Sequence, residues 1–197
     1  MQCLELKVND EPPHIAGVAK AIMLSAHLAG FVGASVPAAL RLDGMCSLAE
    51  DRDAHVYWFH ELPLKSGDRV TFRLVDSDEP SPYAELQATD SPEYLEEQRK
   101  YMEAEAAYQP PTQSAERRWP NLRIRLAVNG TPSVRAGYAT AEEHMLCTLD
   151  WNQWRPERLR VYVRSFSGAS ARLNRHQTEW LRANLEQGEF VSAELDT

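Results

Sequence analysis

Three side chains able to do nucleophilic or acid–base work lie close together late in the chain: His144, Cys147 and Asp150, with Glu143 four residues before the cysteine. Positions three and four apart share a helix face, so on a helix this Cys–His pair could support a reactive thiolate. The neighbouring Met145 and Leu146, and the match of Cys147 to Ser25 in the repeat described below, read instead as a small core position. His55 and His60 are five apart in a strand-like run, which places them on opposite faces and prevents shared metal binding unless a bulge intervenes. His14, His27 and His176 are isolated, and no HExxH, CxxC or acidic calcium-loop pattern occurs, so no metal and no cofactor is expected. Nor is there a GxGxxG, a phosphate loop or a GxSxG elbow. Carboxylates offer one more route: Glu50, Asp51 and Asp53 share a loop, and Asp76, Asp78 and Glu79 follow a strand. Such pairs act as acid and base only when burial drives their pKa values apart. Beside Ser and Pro they read as solvated.

All twelve basic residues after Lys100 are arginine, and Trp119, Trp151, Trp154 and Trp180 fall among them. Stacking and phosphate contacts would suit RNA, but the ten acids after residue 108 dilute the same region and no RNA-binding motif surrounds the arginines. Internal pairing of Arg160 and Arg164 with acids of a central helix is the simpler reading.

The elements that would position these groups come in two copies. Val8-Asn9-Asp10-Glu11-Pro12 to Ala16-Gly17 returns as Val128-Asn129-Gly130-Thr131-Pro132 to Ala136-Gly137. Met23-Leu24 returns as Met145-Leu146, and Pro37, Leu40, Arg41 and Leu42 return as Pro156, Leu159, Arg160 and Val161. Two copies are too few for a solenoid and imply a pseudo-symmetric pair. Leu4, Leu6 and Val8, like Leu122, Ile124, Leu126 and Val128, alternate with polar residues as half-buried strands do. Asn129-Gly130 suits a tight hairpin with positive φ at both positions, Asn9-Asp10 would take the same turn, and Gly17 and Gly137 would supply unusual backbone angles. A helix is expected over 18–29 and 139–149, then a strand near 38–44 and 158–166. His55–Phe59 and Val70–Leu74 form an extra hairpin around Lys65-Ser66-Gly67-Asp68. The second copy is expected to end in a helix over 171–186, stopped by Gly188.

At 197 residues, 43% hydrophobic and 25% charged, the chain has an ordinary globular composition. Cys3, Cys46 and Cys147 form no CxxC pair, which fits a reducing compartment. No secretory leader is recognisable. Ala21–Leu40 carries no Asp, Glu, Lys or Arg, yet it is rich in Ala, Gly and Ser, and a buried helix followed by a strand fits it better than a membrane span.

The charge is uneven. Residues 76–108 hold ten carboxylates against Arg99 and Lys100, a surplus matching the formal net charge of −8 for the whole protein. Ser91 is a good helix cap, Pro92 suits the first turn and Glu93 the positive end of the dipole. Tyr94, Leu95, Tyr101, Met102 and Tyr108 recur at seven-residue spacing and would form a narrow apolar stripe on an acidic helix. The resulting expectation is an α+β fold: a first unit at 1–75 with an extra hairpin, an acidic helical connector at 76–121, and a second unit at 122–197 with a C-terminal helix.

The run Leu64 to Asp76 (LKSGDRVTFRLVD), with residues 4–17, 128–137 and the acidic, Tyr-rich segment up to 108, resembles small uncharacterised bacterial proteins with a VNGxPxxAG-type start and a GDxVTxRxVE-type strand. The resemblance implies a bacterial, cytosolic protein of α+β fold and carries over no catalytic residue. The functional expectation is a non-catalytic interaction protein, in concrete form an immunity or inhibitor protein, binding a basic partner through Glu93, Glu96, Glu97, Glu103 and Glu105. The alternatives are a small hydrolase using the loop carboxylates or the Cys/His pair, and a structural protein or oligomer.

Overall fold

In the computed structural model the described residues are 1–107, 118–138, 142–167 and 177–197. They form thirteen strands and one helix, so the α+β expectation is replaced by a two-sheet β-sandwich. The strands are β1 (Gln2–Val8), β2 (His14–Ala16), β3 (Ala21–Phe31), β4 (Ala38–Ala49), β5 (Arg52–Leu64), β6 (Arg69–Asp76) and β7 (Glu85–Ala88). After helix α1 (Pro92–Ala107) come β8 (Arg123–Val128), β9 (Thr131–Gly137), β10 (His144–Asn152), β11 (Arg158–Phe166), β12 (Gln177–Glu186) and β13 (Phe190–Asp196). One six-stranded sheet runs β2-β1-β6-β13-β8-β9 and one seven-stranded sheet runs β12-β11-β10-β3-β4-β5-β7, every pairing antiparallel.

Apart from β7, which adds an unmatched edge to the large sheet, the strand order reads alike from both ends. Each repeat gives a hairpin and a last strand to the small sheet (β1, β2, β6 against β8, β9, β13) and a three-strand meander to the large one (β3–β5 against β10–β12). The copies join where β6 meets β13 and where β3 meets β10. Both sheets bury one face in a single apolar cluster that includes Leu6, Phe72, Ile124, Leu28, Leu149 and Val161. Neither repeat alone would close that core.

The helices expected in each repeat are strands. Residues 21–31 turn Leu24, Ala26, Leu28 and Gly30 to the core, with Ser25 covered on the other face where it donates to Asp150, and residues 144–152 bury Met145, Cys147, Leu149 and Trp151. This is period two, so Ala and Leu propensity yields to the sheet on which the segments lie. Met23-Leu24 and Met145-Leu146 are consequently not equivalent, because Leu24 and Met145 face the core while Leu146 faces out. Of the C-terminal helix expected over 171–186, residues 177–186 are strand β12, and the rest lies outside the described residues. The extra hairpin expected of the first copy does not form, because β5 and β6 lie in different sheets and the turn at 65–68 carries the chain from one to the other; β12 and β13 cross between the sheets in the same way.

Matched hydrogen bonds hold that repeat together. Asn9 donates from Nδ2 to Asp68 (2.8 Å) and accepts from the Arg69 amide (2.9 Å). Asn129 donates to Glu189 (2.8 Å) and accepts from the Phe190 amide (3.0 Å). Both asparagines adopt left-handed backbone angles (φ 51° and 50°), and each faces a turn containing a glycine at φ 87°, Gly67 or Gly188. Asn129-Gly130 makes the two-residue turn with positive φ at both positions, whereas in the first copy only Asn9 does so and the chain loops through Pro12-Pro13 to β2. Gly17 and Gly137 do not adopt positive φ. A Cβ at Gly17 would run into Cys3 Sγ, and one at Gly137 would lie 2.6 Å from Arg123 Cδ. Gly17 is a glycine for lack of space, whereas at Gly137 only the flexible Arg123 side chain stands in the way.

Helix α1 forms where expected but not as a central element. It follows edge strand β7, and Ser91 Oγ accepts the Tyr94 amide as its cap (3.1 Å). Among the described residues no helix is long and apolar enough to cross a membrane.

Candidate functional site

On strand β10, residues three apart point to opposite faces, which separates the candidate nucleophile from its base. Cys147 is fully buried and its thiol is pushed up to about 12 by burial, while His144 faces outward between two phenylalanines. A thiolate mechanism has no thiolate to use. The loop carboxylates are equally dispersed. Glu50 and Asp51 sit exposed at the tip of the β4–β5 turn. Asp76 accepts from Gln2 (2.7 Å) and from Gln187, and Asp78 lies 3.6 Å from the terminal ammonium. His55 and His60 do share a face, because bulges in the β4–β5 pairing shift the strand, but the Tyr57 ring stands between them. Among the described residues no group of three metal-ligating side chains converges.

The outer face of the seven-stranded sheet is where chemistry-bearing side chains collect. Ala29 pairs with Ala39 on one side and Leu146 on the other, and these short or apolar side chains floor a cleft of about 540 Å³. A cleft of this size suits a small molecule. Phe31, His144 and Phe166 are cross-strand partners whose rings stack along one wall, with centroids 4.7 and 5.2 Å apart. The loop after β3 forms another wall and is fixed by Trp119, whose indole N–H donates to the Ala34 carbonyl (3.0 Å). His27 and Arg41 line the opposite end. Asp43, nearly buried, accepts a two-pronged bond from Arg41 (3.1 and 3.2 Å) and lies 3.6 Å from His27 Nε2. Burial lowers the pKa of His144, with Glu143 partly opposing, and burial likewise lowers that of His55. Both rings are therefore held toward the neutral form.

Beside this cleft, toward β12, lies a polar depression of about 510 Å³ lined by Arg155, Arg160, Arg164, Arg182, Tyr162 and Asp150. Arg164 stacks over Tyr162 and Phe166 (5.5 Å to each centroid) and Arg182 over Tyr162 (5.0 Å). Arg164 donates to Gln177 (3.2 Å), not to acids of helix α1 as the internal-pairing reading held. The sequence offered one signal for this face: the alternation Met145, Cys147, Leu149, Trp151, which as a strand turns His144 and Asp150 outward together.

The predicted partner-binding residues Glu93, Glu96, Glu97 and Glu103 all lie on α1, as does Glu105, whose side chain is outside the described set. Arg99 is occupied within the helix by Glu96 (2.7 Å) and Glu103 (2.5 Å), and both Glu96 and Arg99 have pKa values moved to favour their charged forms by that bond. Glu93 and Glu97 are exposed. Tyr94 reaches the sandwich, with its ring 5.4 Å from His55. Leu95, Tyr101 and Met102 remain 55%, 63% and 61% exposed. No protein-family model, no curated protein and no solved structure matches this chain.

Proposed function

We propose that the protein is a non-catalytic interaction protein of a bacterial cytoplasm whose helix α1 docks a basic partner, with an immunity or inhibitor protein as the concrete case. The observation that carries this reading is the exposure of Leu95, Tyr101 and Met102 on a helix whose glutamates outnumber its two cations. A solvated bridging helix gains nothing from three large apolar side chains in water, whereas burying each in an interface contributes roughly 1.5–3 kcal/mol. The surrounding carboxylates steer a cationic surface onto the stripe and reject acidic ones. Dispersal of the thiol and carboxylate constellations supports binding over hydrolysis at those residues.

The test is affinity capture from bacterial lysate at low and raised salt, using the wild-type chain and a variant with Glu93, Glu96, Glu97, Glu103 and Glu105 changed to Lys. A stoichiometric basic protein retained by the wild type, weakened by salt and absent with the variant is the expected result. Equal capture by both chains would overturn the reading.

A further inference from the structure

An acidic protein has little reason to gather four arginines on one sheet face with only two carboxylates beside them among the described residues, and this one does so around β11 and β12. Arg155, Arg160, Arg164 and Arg182 line one depression, while the carboxylates close by are Asp150, bonded to Ser25 (2.8 Å), and Glu179, bonded to Arg182 (2.7 Å). Among the described residues neither Arg155 nor Arg160 makes an ion pair. Arg164 and Arg182 are held by ring faces, which fixes each guanidinium; Arg182 spends Nη2 on Glu179 and Tyr162 and Arg164 spends Nη1 on Gln177, so a ligand would meet the remaining N–H groups. The Nε–H of Arg164 is buried without an acceptor, and an anion on that edge would supply one. Arg155 is carried on the turn after β10, which Trp151 braces by donating to the Pro156 carbonyl (2.9 Å).

The arginine depression shares its border with the apolar cleft. Arg164 is the cross-strand partner of Leu146 on the cleft floor, and it is two residues from Phe166 on the cleft wall. At roughly 3.3 Å per residue along a strand and ~4.8 Å between strands, the two sites lie about 7 Å apart. This is the separation between the aromatic base and the first phosphate of a nucleotide.

We propose that this face binds a nucleoside phosphate, with the phosphates on Arg160, Arg164 and Arg182 and the base in the cleft over Leu146, against Phe31 and Phe166. The site does not involve helix α1, so the inference stands apart from the interaction proposed above. Two-pronged guanidinium contacts suit phosphate oxygens, and a cleft with an apolar floor rewards a flat ring where pyrophosphate alone would leave it empty. A free nucleotide is favoured over a nucleic-acid strand because the cations are confined to one depression.

The test is isothermal titration of the whole chain with ADP, pyrophosphate and adenosine, with a ten-residue deoxyadenosine oligonucleotide as the strand control. ADP is expected to bind at least about tenfold more tightly than either fragment, from the joined contributions of both halves. Arg160→Gln, an exposed position, weakens ADP and pyrophosphate together by several-fold to tenfold. Leu146→Trp fills the cleft and weakens ADP about tenfold, leaving pyrophosphate unchanged. Arg182→Gln gives a second cation variant should another lose its fold, which a thermal melt reports. Equal affinity for ADP and pyrophosphate, absence of ADP binding at millimolar concentration, or an oligonucleotide that binds far more tightly than ADP would each overturn the proposal.

Discussion

Replacing Asn129 with Ala removes three things at one exposed turn. The first two are hydrogen bonds to Glu189 and from the Phe190 amide (2.8 and 3.0 Å). The third is tolerance of a left-handed backbone, here at φ 50°. Exposed hydrogen bonds contribute at the low end of the usual range, about 0.5 kcal/mol each. Forcing an alanine into the left-handed region costs roughly 1 kcal/mol more. The sum is about 2 kcal/mol, which for a chain of this size lowers Tm by about 4–8 °C. Asn129→Gly keeps the backbone angle and loses only the bonds, so it should cost about half as much. Because Asn9 makes the same two bonds at φ 51° to the equivalent turn, Asn9→Ala should match Asn129→Ala within about 0.5 kcal/mol. Urea unfolding of the three single variants measures this directly. If Asn129→Ala and Asn9→Ala differ by more than about 1.5 kcal/mol, the two turns are not equivalent and the symmetry argument fails. If Asn129→Gly costs as much as Asn129→Ala, the backbone contribution is wrong.

Three further outcomes follow from the same packing. Cys147, fully buried with its thiol raised to about 12, should resist a thiol reagent such as DTNB at pH 8 in the native chain and react only after unfolding; stoichiometric labelling of Cys147 in the folded state would refute its placement. Because burial depresses the pKa values of His144 and His55 below their unfolded value near 6.5, the unfolded state takes up protons first on acidification. Stability should accordingly fall as pH drops through about 6.5 and level off below the folded pKa values, and His144→Phe should shrink that loss in melts run between pH 7.5 and 5. Gly44→Ala puts a Cβ about 2.7 Å from the Met23 carbonyl oxygen, a backbone atom that cannot step aside, and should cost about 1–3 kcal/mol, read as a lower urea midpoint.

The repeat was legible because its markers are turn residues, which local backbone geometry dictates: Asn9 and Asn129 return at the same place with the same angle. Helix α1 was legible for a similar reason, with a cap at Ser91 and charges suited to the first turn. The central meanders were not. Strand β3 is built from Ala, Met, Leu and Gly, whose helix propensity conceals a period-two burial that only the facing sheet enforces. Strand β12 is an edge with Leu185 as its single fully buried side chain, and its alternation slips by one residue between Trp180 and Leu181, which places both on the apolar side of a helix as well. A helix at these segments has no outer sheet face, so the face depends on their being strands. Phe31, His144 and Phe166 lie more than a hundred residues apart at the extremes, and only the register of β3, β10 and β11 makes them neighbours. The His144/Cys147 pair failed by the same mechanism, since a spacing of three joins residues on a helix and parts them on a strand.

If α1 docks a partner, its apolar stripe discriminates better than its charge, because charge reversal also changes non-specific attraction. The most direct measurement is therefore capture with a chain carrying Leu95→Ser, Tyr101→Ser and Met102→Ser, which keeps every glutamate. These side chains are 55–63% exposed, so the sandwich should melt within about 1 °C of the wild type. The account predicts that the basic partner held by the wild type is lost at low salt. Retention of the same partner at the same stoichiometry would contradict it and assign α1 to solvent alone.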